Sequence, residues 1–374
     1  MMGKLTLPPL PSLNAVATAL IGARPTIDSV TAPWRGDAGR TYLFARSAWA
    51  MKAMARAAEK RFGRPPQVWL PDYFCNDAAL PLRDTGAEIR HYPITESLEP
   101  DWATARAMAD AEAPDLFYLV HYFGFPADAQ RAKALCTETG ALLIEDAAHA
   151  LGPGAGIGAH GDAVFYSPHK LLAVPDGAVL RIGDGGDALT PDIGGTEAPS
   201  GPWLAKRLMQ VLAPARMLER RAAGRAVEFM SDAVVGARPE RPRMDARSLR
   251  MLAAAATTLA AVAAARKANA RQITAAAAAL PGWTPLVPEG DDWVPYRVVM
   301  RCESQAVAEA RFAALQRSGC PVESWPDLAP EVAAAPQRHA AAHALRRTVL
   351  LLPVHQTLDA EKLCRRLAEC GAGG

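Results

Sequence analysis

The apolar positions of this chain change period several times, and each change predicts an element. ARSAWAMKAMARAAEKRFG, from Ala45, repeats its apolar residues at helical spacing, opens at Ser47 and stops at Gly63. PQVWLP follows as a short strand, DYFCNDAALPLRDTGAEI as a loop and a helix ending near Gly86, and IRHYPI as a strand. DLFYLVHYFGF is apolar throughout, as a strand covered on both faces is. PADAQRAKALCTETG is a helix, ALLIEDAAHALG a strand and a turn, and DAVFYS and GAVLRIG are two further strands. Strands alternating with helices predict an α/β fold with a mainly parallel central sheet and helices on both faces.

Residues 1–40 are rich in Pro, Gly and Thr and read as an arm laid over a domain. The stretch from about 182 to 243 has no strand pattern; it is rich in Gly and Pro, then in Arg (Arg216, Arg220, Arg221, Arg225, Arg238, Arg241, Arg243). One long alanine-rich helix is expected from about Asp245 to Leu280. After it come strand YRVVMRC, helix SQAVAEARFAALQRSG, strands CPVESW and TVLLLPV, and helix DAEKLCRRLAEC. The expected division is an arm over 1–40, a large domain over 41–244 and a smaller C-terminal α+β domain over 245–374.

Composition narrows the function classes. A net charge of +2 over 374 residues gives no electrostatic reason to expect nucleic acid or an anionic membrane as partner. The most apolar stretch, MLAAAATTLAAVAAA, is shorter than the ~20 residues a membrane span needs and has arginines on both sides. The N-terminus lacks the basic-then-apolar pattern of a signal peptide. The six cysteines are scattered, without a Cys/His cluster, and read as reduced thiols of a cytoplasmic protein.

The chemistry is concentrated in FYSPHKLLAVPDGA, residues 165–178. Lys170 stands where a strand passes into a turn; most lysines in such a place snorkel to the surface. In a partly desolvated pocket, however, a lysine amine forms a Schiff base. Asp146, at the end of another strand, supplies a carboxylate for a protonated pyridine nitrogen, which makes a pyridoxal phosphate ring a strong electron sink. A helix starting at Ser47 offers N–H groups to a phosphate. Ligands of such sheets sit at the carboxyl ends of the strands, where Asp146 and Ser167 to Lys170 fall. His149 alone is more often a hydrogen-bonded core histidine.

ARSAWAM, LPDYFCNDAALPLRDTGAEI, YLVHYFGFPAD, LLIEDAAHALG, GDAVFYSPHKLLAVPDGAVL, RPRMDARSLRML and LLLPVHQTLDAEKL together resemble the DegT/StrS-type sugar aminotransferases, within the fold-type I pyridoxal-phosphate enzymes. The resemblance runs from about residue 42 onward. It implies that Lys170 holds the cofactor as a Schiff base and then shuttles the proton, that Asp146 pairs with the pyridine nitrogen, and that His149 lies by the ring and its phenolic oxygen. It also implies that Ser167 binds the phosphate, with Ser47 and Ala48 adding donors, and that Phe74, in preference to Tyr73, stacks on the ring. Tyr73, His121 and Arg243 are the residues expected to meet substrate.

Three departures stand out. Ser167 is three residues before Lys170, where the family commonly has a serine five before; Ala178 replaces a glycine; and Arg241-Pro242-Arg243-Met244 replaces Asn-Tyr-Arg-Met, which reaches the neighbouring subunit's site. The implied activity is transamination from an amino acid donor, glutamate, to a keto acceptor, a nucleotide-linked keto sugar, in a homodimer with sites at the subunit interface. Another pyridoxal-phosphate reaction on the same scaffold, such as a dehydration or an amino-acid-derived natural-product synthesis, is the alternative, and a non-catalytic homologue the third reading.

Overall fold

The computed structural model describes residues 4–36, 39–186, 189–223, 227–230, 239–287, 290, 292–325 and 327–371. Two short helices, α1 (Leu13–Ile21) and α2 (Ile27–Thr31), give the N-terminal arm its shape, each capped by a hydroxyl, Ser12 and Thr26. The large unit follows as β1 (Arg40–Phe44), α3 (Ser47–Phe62), β2 (Gln67–Pro71), α4 (Asn76–Arg83), β3 (Glu88–Tyr92), α5 (Trp102–Ala111), β4 (Leu116–Val120), α6 (Ala129–Thr139), β5 (Leu142–Ala147), β6 (Ala163–Tyr166), α7 (Pro168–Leu171) and β7 (Ala178–Ile182). These strands form one sheet in the order β1-β7-β6-β5-β4-β2-β3. β3, β2, β4, β5 and β6 run parallel, and β7 is antiparallel to both β6 and β1. β2, β4, β5 and β6 are buried along their whole length, which is why their sequences are continuous apolar runs.

The stretch without a strand pattern carries β8 (Glu197–Ala198), α8 (Gly201–Leu212), α9 (Ala215–Ala223) and β9 (Arg243–Met244), with β8 and β9 paired. Arg225 and Arg238 lie outside the described residues.

The single long helix expected from Asp245 is two helices, α10 (Ala246–Ala256) and α11 (Leu259–Ala278), bent by 73°. Thr257 and Thr258 cause the break: their hydroxyls donate back to the carbonyls of Ala254 and Ala255, both at 2.8 Å, and their N–H groups bond the same carbonyls three residues back. No single helix among the described residues is long and apolar enough to cross a membrane; only this bent pair passes on length and composition together.

The chain ends with β10 (Trp283–Pro285), β11 (Arg297–Cys302), α12 (Gln305–Arg317), α13 (Pro330–Ala333), α14 (Ala340–Thr348), β12 (Val349–Pro353) and α15 (Ala360–Gly371), the three strands forming an antiparallel sheet. CPVESW does not become a strand; only Glu323 bridges to Leu351. Pro321, which has no N–H to donate, stands at its start. The pleat of β11 and β12 divides two cores. Val299, Val349 and Leu351 face the core of the large unit, while Val298, Met300, Leu350 and Leu352 face the second core with Phe312 and Leu363.

Candidate active site

The site lies where β4, β5 and β6 end, and its residues come from the turns that follow. β5 delivers Asp146, 7% exposed, with Oδ1 accepting the Ala148 N–H at 2.9 Å. Burial raises the Asp146 pKa, against the pull of Lys170. Three residues on, His149 turns its Nε2 to 3.2 Å from the Lys170 Nζ. The Phe123 N–H donates to His149 Nδ1 at 3.3 Å, which leaves the proton of a neutral imidazole on Nε2. Burial holds the His149 pKa well below its ordinary value, so the ring is neutral near pH 7.

Lys170 is held by a short helix. Its N–H donates to the Ser167 carbonyl, and the turn beyond it is tied to the start of α3: Gly177 N–H to the Ala45 carbonyl at 2.8 Å, and Arg46 Nη2 to the Pro175 carbonyl at 3.0 Å. Ser47 and Ala48, the first residues of α3, thus stand beside the lysine turn. Met244, next to Arg243, packs beneath it, its methyl 3.4 Å from where a Cβ on Gly177 would lie.

The loop after β4 braces the other side. Phe123 has a φ of 55°, in the left-handed region. That conformation lets its N–H reach His149 while its carbonyl accepts the Tyr296 N–H at 2.8 Å. Gly124 follows, where a Cβ would come within 2.4 Å of the Val294 carbonyl oxygen. His149 is stacked between aromatic rings, Tyr296 at 4.5 Å and 3° and Phe123 at 5.8 Å and 7°, with Trp325 edge-on at 5.2 Å.

Of the residues singled out in the sequence, Lys170, His149, Asp146 and Ser167 converge, with Ser47 and Ala48 alongside. Phe74 and Tyr73 are both buried. The Tyr73 hydroxyl donates to the Trp325 carbonyl and its ring packs on Tyr122 and Trp325. His121 is fully buried, with Nε2 2.8 Å from Glu145 Oε2 and Nδ1 accepting the Ala127 N–H, so both ring nitrogens are occupied by protein. Arg243 is half exposed, 3.7 Å from Glu197. Cys75, at the start of α4, has its thiol pKa raised by burial and lies within the field of Lys170. Phe123, Tyr296 and Cys75 carry no sequence signal: their roles depend on a backbone conformation and on chain segments that meet only in the fold.

The residues present fit pyridoxal phosphate. Among the described residues nothing bonds the buried Ser167 Oγ, so a donor is available there for a bound group. The Nε2 proton of His149 suits a phenolic oxygen, and a buried carboxylate with a raised pKa suits a cationic ring nitrogen.

Residues 101–191 match the model of the DegT/DnrJ/EryC1/StrS aminotransferase family. In overall structure the chain is similar to Helicobacter pylori PseC, an aminotransferase of pseudoaminic acid biosynthesis, at a TM-score of 0.71 and 13% identity over 99% of this chain and 100% of that one. It is similar to the aminotransferase TlmJ of Streptoalloteichus hindustanus at 0.69 and 18%, over 100% and 98%. It is also similar to Spr1654 of Streptococcus pneumoniae in its PLP form, at 0.71 and 14%, over 99% and 98%. At these identities the structures establish the fold, that of fold-type I pyridoxal-phosphate aminotransferases. The segment matched holds Asp146, His149, Ser167 and Lys170, and along its length the chain has the fold of these pyridoxal-phosphate-dependent aminotransferases.

Proposed function

We propose that the protein transfers an amino group from an amino acid, glutamate, to a keto acceptor, a nucleotide-linked keto sugar. The observation that carries this reading is the meeting of the Lys170 amine and the His149 ring at 3.2 Å beside buried Asp146. Asp146 would take the ring nitrogen of pyridoxal phosphate, His149 Nε2 its phenolic oxygen, Phe74 one face, and Ser167 with Ser47 and Ala48 the phosphate. Bound there, the cofactor supplies an electron sink for the carbon that loses its proton.

The chain's own residues do the rest. Lys170 Nζ is the attachment point and then takes and returns the proton at the substrate carbon. His149 stays neutral and donates from Nε2, because the Phe123 N–H occupies Nδ1. Trp325 and Tyr296 close the aromatic wall around His149 and keep water from it. Arg243, half exposed, is the proposed contact for an acceptor diphosphate.

We further propose a homodimer with sites at its interface. Met209 and Leu212 on α8, 66% and 67% exposed, support a covered face there, and light scattering tests it. All six cysteines are free, which fits a reducing cytoplasm.

The test is the absorption spectrum of the protein reconstituted with pyridoxal phosphate, before and after glutamate. A visible band that glutamate abolishes, with release of 2-oxoglutarate, is the expected result. A band indifferent to glutamate and to other amino acids overturns transamination, and the absence of any band overturns the cofactor.

A further inference from the structure

Arg266, on α11, is fully buried, and its described partners are all neutral oxygens. Nε donates to the Pro295 carbonyl at 2.9 Å and Nη2 to the Tyr296 carbonyl at 2.8 Å. Nη1 reaches the Leu171 carbonyl and Gln356 Oε1, both at 3.4 Å. Gln356 Nε2 donates to the same Leu171 carbonyl at 3.2 Å. A buried guanidinium without a carboxylate is costly, and here only carbonyl dipoles offset it. Burial and the neighbouring Arg297 lower its pKa to about 9, so it remains a cation near pH 7.

The carbonyls it holds are particular ones. Leu171 follows Lys170 directly, and Tyr296 carries the ring stacked on His149 at 4.5 Å. His149 Nε2 is in turn 3.2 Å from Lys170 Nζ. A closed circuit results: Lys170, the Leu171 carbonyl, Arg266, the Tyr296 carbonyl, the Tyr296 ring, His149 and back to Lys170. Only a planar fork of divergent donors spans these carbonyls together; an ammonium is a compact point donor on a flexible stem.

We propose that Arg266 is a positioning residue that fixes the Lys170 amine against the His149 ring by holding the main chain behind each. The importance of that spacing rests on the pyridoxal-phosphate reading given above, but the spacing itself can be measured without the cofactor. Arg266→Lys removes the fork and keeps the charge, and Gln356→Ala loosens the Leu171 carbonyl alone. Asn269→Ala is the control, since Asn269 lies one turn further along α11 and, among the described residues, its amide bonds the carbonyls of Val354 and His355.

Two quantities are read on the full chain. One is the rate at which an amine-reactive ester acylates Lys170 in cofactor-free protein, by peptide mass spectrometry across pH. The other is the affinity for pyridoxal phosphate, by visible titration. Arg266→Lys is expected to change both by about tenfold, the scale on which supporting residues act on a bound group. Gln356→Ala moves both the same way by less, and Asn269→Ala leaves both within about twofold. Values within about twofold of the unsubstituted protein in Arg266→Lys and Gln356→Ala alike overturn the proposal. So does an equal change in Asn269→Ala, which would mean a general loosening of α11. If Arg266→Lys does not fold, Gln356→Ala decides. A wild-type chain that binds no pyridoxal phosphate sinks the functional reading, and the acylation rates still decide the role of Arg266.

Discussion

Glu145 and Asp146 are adjacent on β5, and the pleat sends them to opposite faces of the sheet. Glu145 is fully buried and saturated: it accepts from Gly158 N–H at 2.6 Å, His160 N–H at 2.9 Å and Gly161 N–H, and pairs with His121 at 2.8 Å. These bonds and the histidine outweigh the large penalty of burial and leave its pKa below the ordinary value. Among the described residues the Asp146 carboxylate accepts one hydrogen bond, from the Ala148 N–H, and burial prevails, raising its pKa. Two carboxylates, both taken out of water, thus have opposite fates. The one whose acceptor sites are filled by the fold anchors the 158–161 loop; the one left open faces a lysine.

The largest effect expected is on the open side. Lys170→Ala should lower the glutamate half-reaction by at least about 10³-fold, with thermal unfolding unchanged within a few degrees. Rapid-mixing absorbance against a melting curve checks it, and full turnover would refute the assignment.

Substituting the two carboxylates sharpens the contrast. Asp146→Asn should cost about 10²-fold in turnover with stability equal or higher, since it removes a carboxylate that burial disfavours. Glu145→Gln should do the reverse, costing about 2–4 kcal/mol of stability with near-normal turnover per folded molecule. Denaturant titration and kcat on the same samples separate them. The pH signs differ too. The folded pKa of Glu145 is depressed, so its stabilisation is full above the unfolded value of about 4.5 and is lost as pH falls through the folded pKa. That of Asp146 is raised, so its penalty grows as pH rises from about 3.8 toward the folded value.

Asp176, in the turn after Lys170, extends this logic. Burial pushes its pKa up to about 7, although the Ser248 hydroxyl donates to it at 3.0 Å. Between about pH 4 and 7 the folded chain holds more protons here than the unfolded one. Stability from this group therefore falls as pH rises, by at most about 1.4 kcal/mol per pH unit. Asp176→Asn should flatten that slope in a pH series of denaturant melts; an unchanged slope would mean the carboxylate ionises freely. The smallest change expected is in Ser167→Ala, which should weaken pyridoxal phosphate binding by about tenfold and leave the fold intact, because no described residue bonds its Oγ. Equal affinity by visible titration would take Ser167 out of the phosphate site.

Much of this site is legible in the sequence because it lies in two short segments at strand ends. IEDAAHALG and FYSPHK place Asp146, His149, Ser167 and Lys170 at neighbouring carboxyl ends, since adjacent parallel strands bring their ends together. What the sequence does not announce is which polar residue is consumed by the fold. His121 and His149 look alike in the chain; one is spent on Glu145 and the other is aimed at Lys170. The break at Thr257–Thr258 is similarly hidden. Threonine is tolerated inside helices, and the bend becomes visible only when both hydroxyls are seen bonding back to the preceding turn.

The sequence by itself determined the alternation of strands and helices, the buried parallel sheet, and the residue types that stand at its carboxyl edge. Periodicity and local turn chemistry act over a few residues and need no distant partner. The tertiary structure alone decided the left-handed conformation at Phe123, the ring stack on His149, and the Arg266 clamp between Leu171 and Tyr296. Each of these depends on atoms brought into contact by packing, and the energy of a buried charge or a strained backbone is set by those neighbours rather than by the residue's own identity.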